Sequence, residues 1–257
     1  MSKSEYPWRI FWILLAAALG GAFAVLPYVF EVFSKAGVLD APATRTPLYL
    51  AMQILHLALV FGVAIAVGLF LAPKVDLRYP ILSRWLNRTP SFAPVGTLRV
   101  TLFAGILSGA VSIFVLYVVI LPLAPNFPKE ANVPLWKRFL VCIYGGINEE
   151  LVMRLCLLAL VLWILQKIFR RPARSSSAIF WSANTIVAIL YGAAYLPAIA
   201  AIVALTPLLV LSVVSLIGAV GLVFGQLAWR RGLEAAMLAH FISDLTLHLL
   251  GPFFGAK

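Results

Sequence analysis

Seven long apolar segments follow one another along this chain of 257 residues, and they limit the folds that it can adopt. Each is about long enough to cross a hydrocarbon core of about 30 Å at about 1.5 Å per helical residue. The predicted spans are residues 10–30, 47–71, 100–121, 139–165, 178–196, 202–229 and 233–250. The sequence therefore predicts an all-α, polytopic bundle of seven transmembrane helices. An eighth span would result if Pro207 divided the long segment 198–229.

Composition excludes the soluble classes of protein. With 63% hydrophobic and 11% charged residues, the chain has too few polar side chains to coat a soluble globule. The formal net charge of +11 does not indicate nucleic acid, because the basic residues lie between apolar segments instead of clustering on one soluble face. Cys142 and Cys156 fall in one predicted helix, so they form no disulfide framework. The expected partner is the lipid bilayer.

The distribution of basic residues between the spans predicts the orientation. They are Lys74, Arg78, Arg84, Arg88 and Arg99 in the second connection, Lys167, Arg170, Arg171 and Arg174 in the fourth, and Arg230 and Arg231 in the sixth. By the positive-inside rule these connections face the cytoplasm. The third connection, with three basic residues and Glu130, is the exception. We expect a multi-pass integral protein of a bacterial inner (plasma) membrane with a cytoplasmic N-terminus.

Two connecting or terminal segments carry further signals. The basic connection 77–92, punctuated by prolines and carrying Trp85, suits an interfacial segment on an anionic leaflet. The first span resembles a cleaved signal peptide in part, because Ala22-Phe23-Ala24 is similar to a cleavage site. The apolar run continues to Phe30, which favours a retained span, and cleavage would leave the orientation of the other spans unchanged.

Ionisable residues inside the fourth span mark a candidate site. Each such group costs roughly 2.5 to 3.5 kcal/mol at mid-membrane, so it normally faces a partner or a water-filled cavity. Glu150 and Arg154 stand at i and i+4, and mutual neutralisation is their simplest role. Glu149 points about 100° away from Glu150 and must face something else. Before them, Gly145-Gly146 permits either a helix break or the close approach of a neighbouring helix.

The seventh span carries the second ionisable group. His240 and Asp244 repeat the i, i+4 spacing and share one helix face, which His248 continues one turn further on. Together, Glu-Glu-x-x-x-Arg and the later His-x-x-x-Asp resemble the CPBP family of membrane proteins. That family includes the CAAX prenyl proteases and the bacteriocin-processing and bacteriocin-immunity proteins. The resemblance covers about residues 136–249, so we expect N-terminal helices with a basic connection over 1–134 and a CPBP-like core over 135–257.

The family's second motif is degenerate here. Members usually have Phe-x-x-x-His, whereas this chain reads Tyr191-Gly192-Ala193-Ala194-Tyr195, so Tyr195 stands at the histidine position. In the family that histidine helps the first glutamate to polarise a water or to hold a metal. A phenol is a poor neutral metal ligand. The sequence therefore assigns no cofactor, and a divalent metal stays open only through the resemblance.

The resemblance implies an intramembrane endopeptidase. Glu149 would act as general base toward a water, Arg154 would hold Glu150, and His240 with Asp244 would stabilise the oxyanion. A lipidated C-terminal peptide, a leader peptide or a transmembrane segment would be the substrate. His248 or His56 could supply the missing imidazole.

Two other functions stay open. A catalytically inactive CPBP-like scaffold, or an accessory subunit among other membrane subunits, would also keep the buried ion pair while losing the histidine. A small transporter would place charges at mid-membrane too, but it predicts neither the glutamate pair nor the order of the motifs.

Overall fold

The apolar segments fold into helices, and no strand occurs among the residues that the computed structural model describes, 7–38, 47–89, 95–128, 132–170 and 176–254. The helices are α1 Trp8–Lys35, α2 Pro47–Leu71, α3 Pro80–Leu86, α4 Val95–Leu123, α5 Leu135–Ile168, α6 Ser177–Ala200, α7 Pro207–Arg231 and α8 Leu233–Phe254. Seven are long and apolar enough to cross a membrane, and α3 is too short. The predicted all-α polytopic fold is confirmed.

Pro207 begins the sixth span instead of dividing it. The chain leaves α6 at Ala200, and α7 starts with Pro207 in its first turn, where the missing N–H of proline is not needed. Thr206 caps this helix, because its Oγ1 accepts a hydrogen bond from the N–H of Leu209 at 3.2 Å. The expected start of this span at residue 202 was therefore several residues too early, and the eighth span is absent from the described residues.

The glycine pair in α5 packs against another helix and does not break α5. The helix continues through wide π-type turns over Gly145–Glu149 and Leu151–Leu158. A Cβ on Gly145 would collide with Asp244 Oδ2 and lie 3.1 Å from His240 Nε2. Of the two alternatives left open by the sequence, close approach of a neighbour is therefore correct. The neighbour is α8. Because Gly145 has no side chain, His240 and Asp244 of α8 lie close to the backbone of α5.

The interior of the bundle forms around α5. Leu151, Leu155, Leu158 and Leu162 are fully buried in one stripe of that helix. Gly68 of α2 lies against this stripe, because a Cβ there would come within 2.6 Å of the Leu155 carbonyl oxygen. Large apolar side chains on the perimeter, by contrast, are exposed. That arrangement suits helices surrounded by lipid, where dispersion contacts at small residues hold the bundle together.

Two glycines of α4 provide the second close helix contact. A Cβ on Gly105 would come within 2.6 Å of the Ala239 carbonyl oxygen, and one on Gly109 within 2.6 Å of the Ser243 carbonyl oxygen, both in α8. The spacing Gly105-x-x-x-Gly109 is the small-residue pattern of close-packed membrane helices. This contact fixes the rotation of α8, and thereby the direction in which His240 points.

Gly105→Ala is expected to destabilise the protein by about 1 to 3 kcal/mol, because the added methyl meets backbone that cannot yield without moving α8. Gly96→Ala in the same helix is the matched control, since no described residue lies within 4 Å of the added methyl. Thermal unfolding in detergent measures the difference. A melting temperature for Gly105→Ala equal to that of Gly96→Ala would show that α4 does not pack on α8 in this way.

Candidate active site

Glu149 lies opposite two tyrosines of α6. The Tyr195 hydroxyl donates to the Glu149 carboxylate, with both carboxylate oxygens 2.7 Å from Oη. The Tyr191 hydroxyl also donates to Glu149 Oε2. The two tyrosines are one helical turn apart on α6, and their rings meet edge to face at 5.6 Å. The side chain that the sequence left without a partner therefore faces two phenols.

Glu150 links Arg154 to His240 in the sealed interior. Its Oε2 lies 3.2 Å from Arg154 Nε, and its Oε1 lies 2.9 Å from His240 Nδ1. The side chains of Glu150 and Arg154 are both 0% exposed. The expected ion pair is thus present. Its carboxylate has a second task, because it fixes the orientation of the His240 ring.

His240 occupies the centre of the site. Its Nε2 lies 3.3 Å from the Tyr191 hydroxyl, 3.5 Å from Asp244 Oδ2 and 3.8 Å from Glu149 Oε2. On one face the ring stacks on Phe224, with centroids 4.8 Å apart and planes 27° apart. The bond at Nδ1 and the stacked phenyl ring together hold the imidazole so that Nε2 points at the Glu149 and Asp244 carboxylates.

Burial divides these residues into two groups. Glu149 and Asp244 each keep 17% of the side chain exposed, whereas Glu150 and Arg154 keep none and His240 keeps 5%. The two carboxylates nearest to His240 Nε2 are therefore the ones that are not fully buried.

Comparison with protein families agrees with the motif-based resemblance. Residues 131–246 match the family described as type II CAAX prenyl endopeptidase Rce1-like. This segment is similar to that family. It contains each of the six site residues expected from the sequence, and the resemblance to the CAAX prenyl proteases is confirmed. No curated protein and no solved structure matches the chain.

The Rce1-like segment does not offer a donor set that suits a divalent metal. In the part of the chain described by the structure, no three His, Cys, Asp or Glu side chains form a group that could hold a metal ion. Around Glu149, two phenols take the place of imidazole donors, and each uses its proton on the carboxylate. The residues present therefore do not fit the metal that the family leaves open, and we derive no chemical step through one.

The sequence-based list of site residues missed two members of the Rce1-like site. Tyr191 contacts both Glu149 and His240, and its i, i+4 relation to Tyr195 is the signal that could have found it. Phe224 stacks on His240 from α7, and no local pattern in the sequence marks it.

The two candidates for a substitute imidazole have other surroundings in the structure. The ring of His248 packs edge to face against Tyr28 at 5.6 Å, and its carbonyl oxygen accepts from Arg138 Nη1. His56 lies on the exposed perimeter of α2. Tyr195 and Tyr191 are thus the groups that actually meet the glutamate in place of the family histidine.

Proposed function

We propose that this chain is an intramembrane endopeptidase of the CAAX-protease type. The observation that carries the proposal is the unequal burial of the acidic residues. The carboxylates with a chemical role in the family-type mechanism, Glu149 and Asp244, are partly exposed, whereas the structural pair Glu150 and Arg154 is fully buried. A partly exposed carboxylate admits the water that a general base needs, whereas a fully buried one does not.

The proposed mechanism begins at Glu149. Both of its oxygens accept hydrogen bonds from phenols, so an incoming water displaces one contact of Tyr195 and becomes hydrogen-bonded to the freed oxygen. Glu149 takes a proton as the water oxygen attacks the scissile carbonyl, and returns it to the leaving amine when the C–N bond breaks. The remaining phenol contacts hold the carboxylate in position throughout.

His240 stabilises the charge that develops on the carbonyl oxygen. The Nδ1–H group donates a hydrogen bond to Glu150 Oε1, which leaves Nε2 directed into the site. With both ring nitrogens protonated, the Nε2–H group donates to the oxyanion, and the imidazolium charge adds to the stabilisation. Asp244, 3.5 Å from Nε2, orients that donor in the free protein.

The second candidate is a non-catalytic membrane scaffold or accessory subunit. A specific observation favours it, since Tyr195 and Tyr191 both donate to the Glu149 carboxylate and Tyr195 stands where the family has an imidazole. Stoichiometric copurification of other membrane subunits, together with no cleavage of prenylated or leader peptides, would support this function over the first.

Orientation and substrate are part of the proposal. The arginine-rich end of the bundle, at the α7–α8 turn, would face the cytoplasm of a bacterial cell by the positive-inside rule. Glu149 lies near the middle of α5, so the scissile bond would be cut within the bilayer or at its edge. A lipidated peptide or a transmembrane segment is the substrate class that can reach it there.

Tyr195→Phe is expected to lower cleavage by about 10- to 100-fold, because a hydrogen bond to a charged group is worth about 1.5 to 3 kcal/mol. The rate is measured by mass spectrometry on a farnesylated peptide with a C-terminal CAAX sequence, using purified protein in liposomes. Tyr117→Phe, half-buried on α4 outside the site, is the matched control and should cleave as the parent does. Equal rates for the two variants would remove Tyr195 from the mechanism.

A further inference from the structure

A cavity of about 440 Å³ lies at the arginine-rich end of the bundle, away from Glu149. It opens between α3, the first turns of α4 and the turn from α7 into α8. Four arginines contribute to its lining, and Glu234 is the one acidic residue among the lining residues. The arginines are Arg78, Arg84, Arg230 and Arg231. The proposed cleavage reaction does not use this cavity.

The walls of the cavity are fixed by contacts between distant parts of the chain. The N–H of Leu233 donates to the Arg78 carbonyl oxygen at 2.8 Å. The N–H of Leu82 in α3 donates to the side-chain carboxylate of Glu234, with Oε1 at 2.9 Å. At the turn, Gly232 has φ 105° and lies directly against Pro80, a position that no side chain could share. The short helix α3 is therefore held in place against α8.

Some polar groups that line the cavity have hydrogen bonds or charges that the described residues do not satisfy. Thr101 is only 1% exposed, and its hydroxyl has no hydrogen-bond partner among the described residues. A buried hydroxyl without a partner is normally destabilising. Arg78 is paired with Asp76 at 3.0 Å, but no carboxylate in the described residues pairs with Arg84 or Arg231. A cationic cavity with an unsatisfied buried hydroxyl suits an anion with several oxygen acceptors.

The surroundings of the cavity indicate where that anion comes from. Ile81 and Trp85 of α3 and Leu98 of α4 are exposed next to it, by 41%, 61% and 42%. An exposed tryptophan at the end of the spans is typical of the level of the lipid headgroups. A free phosphate would use the arginines alone, whereas a phospholipid would also cover these apolar side chains.

We propose that this cavity binds the phosphate headgroup of an anionic phospholipid, with the acyl chains lying against α3 and α4. Arg84 and Arg231 neutralise the phosphate, and Thr101 donates its hydroxyl proton to a phosphate oxygen. Arg231 is already directed by its hydrogen bond to Thr97 Oγ1 at 3.1 Å. Basic pockets between membrane helices on the cytoplasmic side are a recurrent form of lipid recognition.

The first test measures lipid selectivity. Protein in phosphatidylcholine bilayers is probed with spin-labelled phosphatidylglycerol and spin-labelled phosphatidylcholine, and the immobilised fraction gives their relative affinity. The double variant Arg84→Gln/Arg231→Gln is expected to lose the preference for phosphatidylglycerol by about 5-fold for each arginine. Arg9→Gln/Arg99→Gln removes the same charge from exposed positions outside the cavity and should stay within about twofold of the parent.

The second test uses Thr101→Val, which keeps the shape and removes the orphan hydroxyl. In phosphatidylcholine alone, its melting temperature should equal or exceed that of the parent, because no hydrogen bond is lost. Added phosphatidylglycerol should then stabilise the variant less than it stabilises the parent. This pattern identifies a ligand on the hydroxyl, whereas a purely structural threonine would give lower stability in both lipids.

Three results would overturn the proposal. Equal loss of selectivity in the two double variants would mean a general attraction of the basic surface. Unchanged selectivity in both would mean that the cavity binds no lipid. Stabilisation by inorganic phosphate equal to that by phosphatidylglycerol, with no selectivity between the lipids, would identify a soluble anion as the ligand.

Discussion

Glu149→Gln is expected to reduce peptide cleavage by at least about 100-fold, the lower end of what a positioned general base contributes. The amide cannot take a proton from the attacking water. It can, however, accept a hydrogen bond from one phenol and donate to the other, so Tyr191 and Tyr195 keep their partners. The yield of folded protein should therefore stay near that of the parent. Initial rates on the farnesylated peptide and size-exclusion chromatography measure the two quantities.

This variant also separates the two proposed functions. Cleavage by the parent that persists unchanged in Glu149→Gln would rule out Glu149 as the base and would point to a contaminating peptidase. The scaffold would be favoured if the parent cleaves no peptide and if both the parent and Glu149→Gln copurify with stoichiometric membrane subunits. In that case Glu149 would serve only as the acceptor for Tyr191 and Tyr195.

Arg154→Ala is expected to cost about 3 to 5 kcal/mol, because it leaves the Glu150 carboxylate charged and sealed without a counter-ion. Arg154 and Glu150 are both 0% exposed, so water cannot replace the missing guanidinium. Glu150 would then keep one contact, the hydrogen bond with His240 Nδ1. We expect a large loss of folded protein, measured as monodisperse yield and thermal stability in detergent.

A second substitution tests whether the uncompensated charge is the cause. Glu150→Gln/Arg154→Met removes both charges, fills the space of the guanidinium stem and keeps an acceptor for His240. It should recover much of the stability lost in Arg154→Ala, since replacing a whole buried pair is often close to neutral. A double variant no more stable than Arg154→Ala would show that the loss comes from packing and not from the uncompensated charge. Arg154 does pack near Tyr191, with Cζ 5.6 Å from the centre of its ring.

Residues within one helix could be assigned from the sequence with little error. The shared face of His240 and Asp244 follows from the 3.6-residue period of a regular helix. The Glu150–Arg154 pair follows from the same i, i+4 spacing, which brings the two side chains together even in the wider turns of α5. The position of Tyr195 at the site followed from the family motif, and the structure places its hydroxyl on Glu149. The catalytic roles of these residues stay predictions, because geometry alone does not measure turnover.

Contacts between helices could not be assigned in the same way. Whether Gly145 breaks α5 or receives α8 depends on which helix face meets it, and both outcomes fit the local sequence equally well. Tyr191 was missed because its partners, Glu149 and His240, lie 42 and 49 residues away. Their meeting is set by how α5, α6 and α8 are rotated against one another.

The sequence by itself determined that this protein is a bundle of membrane helices with an acidic pair, a basic partner and a histidine inside it. Hydrophobic length and helical periodicity are local properties, so they can be read along the chain. Only the tertiary structure decided that two phenols meet Glu149 and that Glu150 is sealed while Glu149 stays open. It also created the arginine-lined cavity, because the segment with α3 meets the α7–α8 turn through two long-range hydrogen bonds. One joins the backbones of Leu233 and Arg78, and the other runs from the Leu82 N–H to the Glu234 carboxylate.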